Sequence, residues 1–263
     1  MSRVDRRIVY GVVAIMLLAA SSCSKHVTHL DLNPDFTAEA LMGGGIAIGG
    51  VASLLKTDEA PLDFSSRTSA MLERAIAERR AGVPRRMWGD VCRDVGDSAM
   101  AANLDDYRLH GSLGRSTIDS VATRVRSGAR YLVMARLEQD VVKTDDEPKQ
   151  EAKEGKMVEV GTVYSTKRQA VIAFTVYDLE TGESVASATV TGDESASRTV
   201  SGPADQGSGK KGKKGFLDKT IETLDKLDRI FGEEASPYPD PPALDSAIED
   251  ACKRFASQLP KMK

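Results

Sequence analysis

The stretch VIAFTVYDLETGESVASATVTG, residues 171–192, decides the fold class. Ala170–Tyr177 is dense in β-branched and aromatic residues, and Val185–Thr191 resumes that character after DLETGE. Gly182 can take positive φ and its polar neighbours favour a turn, so the two runs fold back as a hairpin. Upstream, Tyr131–Leu137 is equally rich in strand formers. Residues 46–52, inside LMGGGIAIGGVASLL (41–55), read as a buried strand with glycines where another backbone approaches closely.

Between these runs the spacing turns helical. Met71, Leu72, Ala75 and Ile76 define a helix over 65–80, with Ser65 and Ser66 as candidate caps and Gly82 and Pro84 beyond its end. Met87–Val91 reads as a short strand, and 97–113 as partly helical. Ser116 and Asp119 match a capping box for a helix over 116–127. A last helix, 243–259, aligns Leu244, Ile248, Ala251, Phe255 and Leu259, with Pro241 suited to its first turn. Strands alternating with helices and closing on a hairpin and a helix predict an α/β fold: a mixed sheet flanked by helices.

The amino-terminal end carries an address. Arg3, Arg6 and Arg7 precede IVYGVVAIMLLAA (8–20), an apolar run too short to span a bilayer as a stable helix. AASSC (19–23) resembles a lipobox, the cleavage site of bacterial lipoproteins, although Ala20 stands where leucine is preferred. That resemblance makes 1–22 a signal peptide and Cys23 the residue that receives lipid. Ser24, where an aspartate would signal retention in the inner membrane, implies the outer membrane and a domain facing the periplasm.

The remainder divides into a tether (23–40), a main body (41–200), a Gly/Lys-rich linker (201–215, SGPADQGSGKKGKKG) and carboxyl-terminal helices (216–263) that pack on the same domain. A helix over 217–231 sets Leu217, Ile221, Leu224, Leu227 and Phe231 on one side. SPYPDPP (236–242) is a stiff break, and the charged stretch 143–156 reads as an exposed loop. The balance of charges is -3, which gives no general attraction to nucleic acid.

Few residues offer chemistry. Cys92 and Cys252 can form a disulfide in an oxidising compartment or remain free thiols, Cys252 on the apolar face of its helix. His26 and His29 have a metal-compatible spacing but no third ligand in sequence. Asp105-Asp106 and Asp145-Asp146 are adjacent, which turns the members of each pair to different faces. Gly44 and Gly49 have phosphate-loop spacing, but Gly50 and Val51 replace the lysine and hydroxyl residue. No cofactor and no enzymatic activity are expected. Lys210, Lys211, Lys213 and Lys214 are candidate contacts with an acidic partner or lipid head groups, or simply solvated linker.

Three segments, together with the lipid cysteine Cys23, resemble one family. SGARYLVMARL (127–137) is similar to its helix end followed by a strand, 171–192 to its hairpin, and PPALDSAIEDACKRFASQL (241–259) to its closing helix. This is the lipoprotein family that includes the curli-secretion protein CsgG and the penicillin-binding-protein activator LpoB, and it shares a fold with the N-terminal domain of TolB. The resemblance implies a periplasm-facing adaptor or regulator of envelope assembly that binds another envelope protein. Its alternative is an oligomeric secretion-channel subunit of the CsgG kind. The segments that would form membrane hairpins correspond to 143–168 and 191–216, and their charge opposes that role.

Overall fold

A computed structural model of the chain describes residues 26–56, 58–153, 156–201 and 236–261. Their contacts divide into two units. One takes in residues to Val141, Arg168–Glu194 and Ala243 onward; the other takes in Val142–Lys167 and Ser195–Pro242. The described residues form a six-stranded mixed sheet and six helices. The strands are β1 (Val27–Leu32), β2 (Ile46–Ser53), β3 (Arg85–Arg86), β4 (Tyr131–Lys153), β5 (Lys156–Asp178) and β6 (Glu183–Ser201). The helices are α1 (Ala38–Gly44), α2 (Pro61–Arg79), α3 (Trp88–Val95), α4 (Asp97–His110), α5 (Arg115–Val125) and α6 (Leu244–Gln258). Sheet order is β1-β6-β5-β4-β2-β3, with β1 antiparallel to β6 and β2 parallel to both β3 and β4.

The strand β2 is buried along nearly its whole length, as its uninterrupted small and apolar sequence requires. Its register against β4 shifts between Ile48 and Gly50. Gly50 sits at φ +111, where a Cβ would strike Trp88, Ser65 and Leu104, so this bulge admits only glycine without strain. The groups that approach these glycines are side chains, not the neighbouring backbone that the sequence led us to expect.

Both faces of the sheet are covered at β5. Phe174 stacks on Phe255 of α6 at 4.1 Å, while Tyr107 of α4 donates to Thr175 Oγ1 at 3.0 Å. Adjacent strand residues point to opposite faces, so α6 and α4 lie on opposite sides. The Tyr177 hydroxyl oxygen accepts the Leu113 amide at 2.9 Å. At β6, a Cβ on Gly192 would meet the Ala247 carbonyl oxygen and the Ala251 nitrogen, so this strand runs directly against the backbone of α6.

The α/β class, the β5–β6 hairpin, β2 and the last helix agree with the sequence reading, and Gly182 takes φ +71 in the hairpin turn. Other expectations change. The tether assigned to 23–40 already contains β1 and the start of α1. The helix expected over 65–80 starts at Pro61, and Ser65, instead of capping it, lies inside and accepts the Val51 amide at 3.0 Å. Met87–Val91 is not a strand, because Trp88 begins α3 and buries itself with Val91 and Val95. Helix α5 has Gly114 as its cap with no side-chain bond, and Asp119 pairs with Arg115 instead. The loop expected over 143–156 is largely strand, since β4 continues to Lys153 and β5 begins at Lys156.

In the second unit, the segment 236–242 lies across strand residues. Tyr238 packs edge-on against Tyr164 at 5.3 Å and donates to Asp146 Oδ1 at 3.1 Å. The Pro239 carbonyl accepts from Thr166 Oγ1 at 2.7 Å. The stiff break is therefore a docked strap: its prolines hold an extended shape that needs little further ordering.

Candidate functional site

The site is built where β2 ends. The Leu54 amide donates to the Leu137 carbonyl at 2.9 Å, which carries the chain one residue past the strand. Ser53 Oγ then accepts the Leu55 amide at 3.1 Å and turns the chain toward α2. The carboxyl end of a parallel strand is a common place for a binding crevice, because the connections there diverge. Here they leave a recess of about 450 Å³ lined by Ser53–Lys56, Glu59 and Pro61, by Phe64 of α2, and by Leu104, Asp105 and Arg108 of α4.

Its floor is apolar and its rim is charged. Phe64 and Leu104 are buried, whereas Leu54 is 44% exposed. On the rim, Arg67 holds Glu59 at 2.7 Å and also pairs with Asp245. That hydrogen bond keeps the Glu59 carboxyl below its usual range and raises the Arg67 guanidinium. Arg108 pairs with Asp105 at 2.7 Å. Among the described residues neither histidine nor cysteine lines the recess. The arrangement is an apolar floor beneath a rim that carries charges of both signs.

Of the residues singled out in the sequence, Asp105 lines the recess; the cysteines and histidines do not converge here. Cys23, Lys210, Lys211, Lys213, Lys214 and helix 217–231 lie outside the described residues. Cys92 and Cys252 are free thiols, with no bridge between them. Burial pushes Cys92 up to about 11 and Cys252 up to about 12, so both stay protonated at neutral pH. His26 pairs with Asp193 at 3.1 Å, His29 meets Ser187 Oγ at 3.3 Å, and His110 pairs with Asp106. Among the described residues no group of three or more His, Cys, Asp or Glu side chains could hold a metal.

The sequence reading missed Leu54, Lys56, Glu59 and Arg108, and set Asp105 aside as one of an adjacent pair turned to different faces. One signal was available: SLLKTDEAP (53–61) places apolar and charged residues together between a parallel strand and a helix.

No family model and no curated protein matches the chain. Solved structures do. One is the PelC dodecamer from Paraburkholderia phytofirmans, 15% identical over 66% of this chain and 80% of that one, with a TM-score of 0.28. The LpoB C-terminal domain from Salmonella enterica is 13% identical over 62% and 87%, with a TM-score of 0.30. A lipoprotein from Neisseria meningitidis is 11% identical over 70% and 96%, with a TM-score of 0.29. At these identities and scores the likeness decides nothing about what this chain does. Among the described residues no helix is long and apolar enough to cross a membrane.

Proposed function

We propose that the chain is a lipoprotein, anchored in the outer membrane through Cys23 and facing the periplasm. It works without catalysis, as an adaptor or regulator of envelope assembly that binds another envelope protein. One observation carries the reading: three arginines, the apolar run 8–20 and AASSC stand immediately before a folded α/β body. The recess at the end of β2 supplies the contact, with Leu54 as its exposed apolar element and Lys56, Glu59, Asp105 and Arg108 as its charged rim.

Two measurements test this. Growth with a labelled fatty acid should mark the wild-type product and leave the Cys23→Ser variant unmarked. A photo-crosslinking residue at position 54 should trap a discrete envelope protein in intact cells, and the same probe at exposed Glu183 should not. An unlabelled wild-type product would defeat the anchor. Equal yields at both positions would defeat the recess.

The channel reading gains strands, because β4 and β5 are each 23 residues long. It does not gain the chemistry. Beyond Val141, odd positions of β4 are Lys143, Asp145, Glu147, Lys149, Glu151 and Lys153; even positions include Asp146, Pro148 and Gln150. A lipid-facing strand needs one apolar face over about ten residues, and a lysine at the midplane costs about 2–4 kcal/mol. Neither face of this strand qualifies, so the adaptor is the reading we retain. Purified protein should carry no current across a planar bilayer.

A further inference from the structure

Among the described residues β1 ends the sheet: it pairs with β6 on one side only. The Asn33 amide donates to the Val185 carbonyl at 2.9 Å, and Asp31 stands opposite Ser187. In an antiparallel ladder alternate residues turn their backbone groups to the same neighbour. Residues 31 and 33 therefore face β6, and Leu30 and Leu32 direct their amides and carbonyls away from the sheet. An edge of this kind is a template for another strand. It is also apolar where most edges are guarded, since Leu30 is 42% and Leu32 37% exposed. His29 and Asp31, both exposed, share the other face of the strand.

We propose that β1 pairs with β1 of a second copy of this chain, antiparallel, about a twofold axis through Leu30. A twofold contact must be self-complementary, and this strand is. With the axis at Leu30, each Leu30 meets its own copy in a hydrogen-bonded pair. His29 then faces Asp31 of the other copy, and Asp31 faces its His29, so two pairs of opposite character form at once. Leu32 meets Thr28. Moving the axis to Leu32 would set Leu30 against Pro34, which has no amide to donate, and would leave Asp31 against Asn33. Of the twofold registers only an axis at Leu30 opposes His29 to Asp31, and an axis at Asp31 would oppose two carboxylates, so the order of side chains along this edge favours an identical strand in this register. The contact is small by the measure of stable dimers, which bury about 1,200–2,000 Å². A reversible dimer is the consequence.

The test uses full-length protein in detergent, followed by sedimentation over a wide concentration range. Wild type should pass from monomer to dimer, with Leu30 and Leu32 amides exchanging more slowly as the dimer forms. Leu30→Pro removes an outward amide and should give monomer with an unchanged melting temperature. Leu30→Lys keeps the amide and guards the edge with charge, and should do the same. His29→Asp should weaken the dimer about tenfold, since two opposed pairs are lost together, and adding Asp31→Lys should restore it. Monomer at every concentration would overturn the proposal. So would a dimer or larger assembly that persists in both Leu30 variants, or a foreign strand captured at β1 by a chain that never self-associates.

Discussion

Single atoms set the tolerances of this fold. At Gly192 an added carbon meets backbone of α6 that no rotamer change can move aside. Gly192→Ala should cost about 1–3 kcal/mol, the usual range for overpacking, read as a lower urea midpoint with an unchanged slope. Two carboxyls respond to pH in opposite senses. Burial works to raise Asp178, but hydrogen bonds from Arg130, the nearer at 2.6 Å, and from the Glu180 amide bring it below its usual 3.8. Its contribution is present above that value and is lost as pH falls through the lower folded one. Asp178→Asn should therefore flatten the acid limb of a stability–pH profile. Glu73 is raised above 4.5, first by burial and against the Trp88 amide that it accepts at 2.6 Å. Its contribution is present below 4.5 and is lost as pH rises through the folded value. Glu73→Gln keeps an acceptor for that amide and should raise the melting temperature at pH 7. Neither role is legible in sequence, because Arg130 meets Asp178 and Glu73 meets Trp88 only after the chain has folded.

Elements divide into those that carry their own signal and those that borrow it. The hairpin is local: Ala170–Tyr177, a turn with Gly182, then Val185–Thr191, so its reading from sequence survives. Helix α6 carries its periodicity in Ile248, Ala251, Phe255 and their neighbours. By contrast, KTDDEPKQEAK (143–153) has no strand propensity of its own, and β4 extends through it because β5 supplies a ladder. Helix α3 is only 8 residues long, so Trp88, Val91 and Val95 offer just two helical steps, too few to outweigh the short strand-like run at Met87–Val91. The strap 236–242 was legible as stiff but not as docked, since its anchor Tyr238 needs Tyr164 and Asp146 in place. Tyr238→Ala should speed hydrogen exchange in residues 142–152 and 158–167. Tyr238→Phe should change it much less, because the ring contact remains.

For the whole molecule, the α/β class could be read in advance, while the recess could not. Its residues come from the β2 end, α2 and α4, and only the packing of those helices brings them together. Cys23→Ser should move the protein from the membrane pellet to the soluble fraction while leaving its circular dichroism unchanged.

The early start of β1 limits how far such an anchored body could wander. With lipid on Cys23 and the first strand residue at Val27, the leash is four steps of backbone, about 14 Å when drawn straight. A body so held would skim the head groups instead of sweeping the compartment beyond them. If Cys23 is lipidated as proposed, a partner would have to come to the bilayer, and encounters would happen in a thin layer where neighbours are concentrated and share an up and a down.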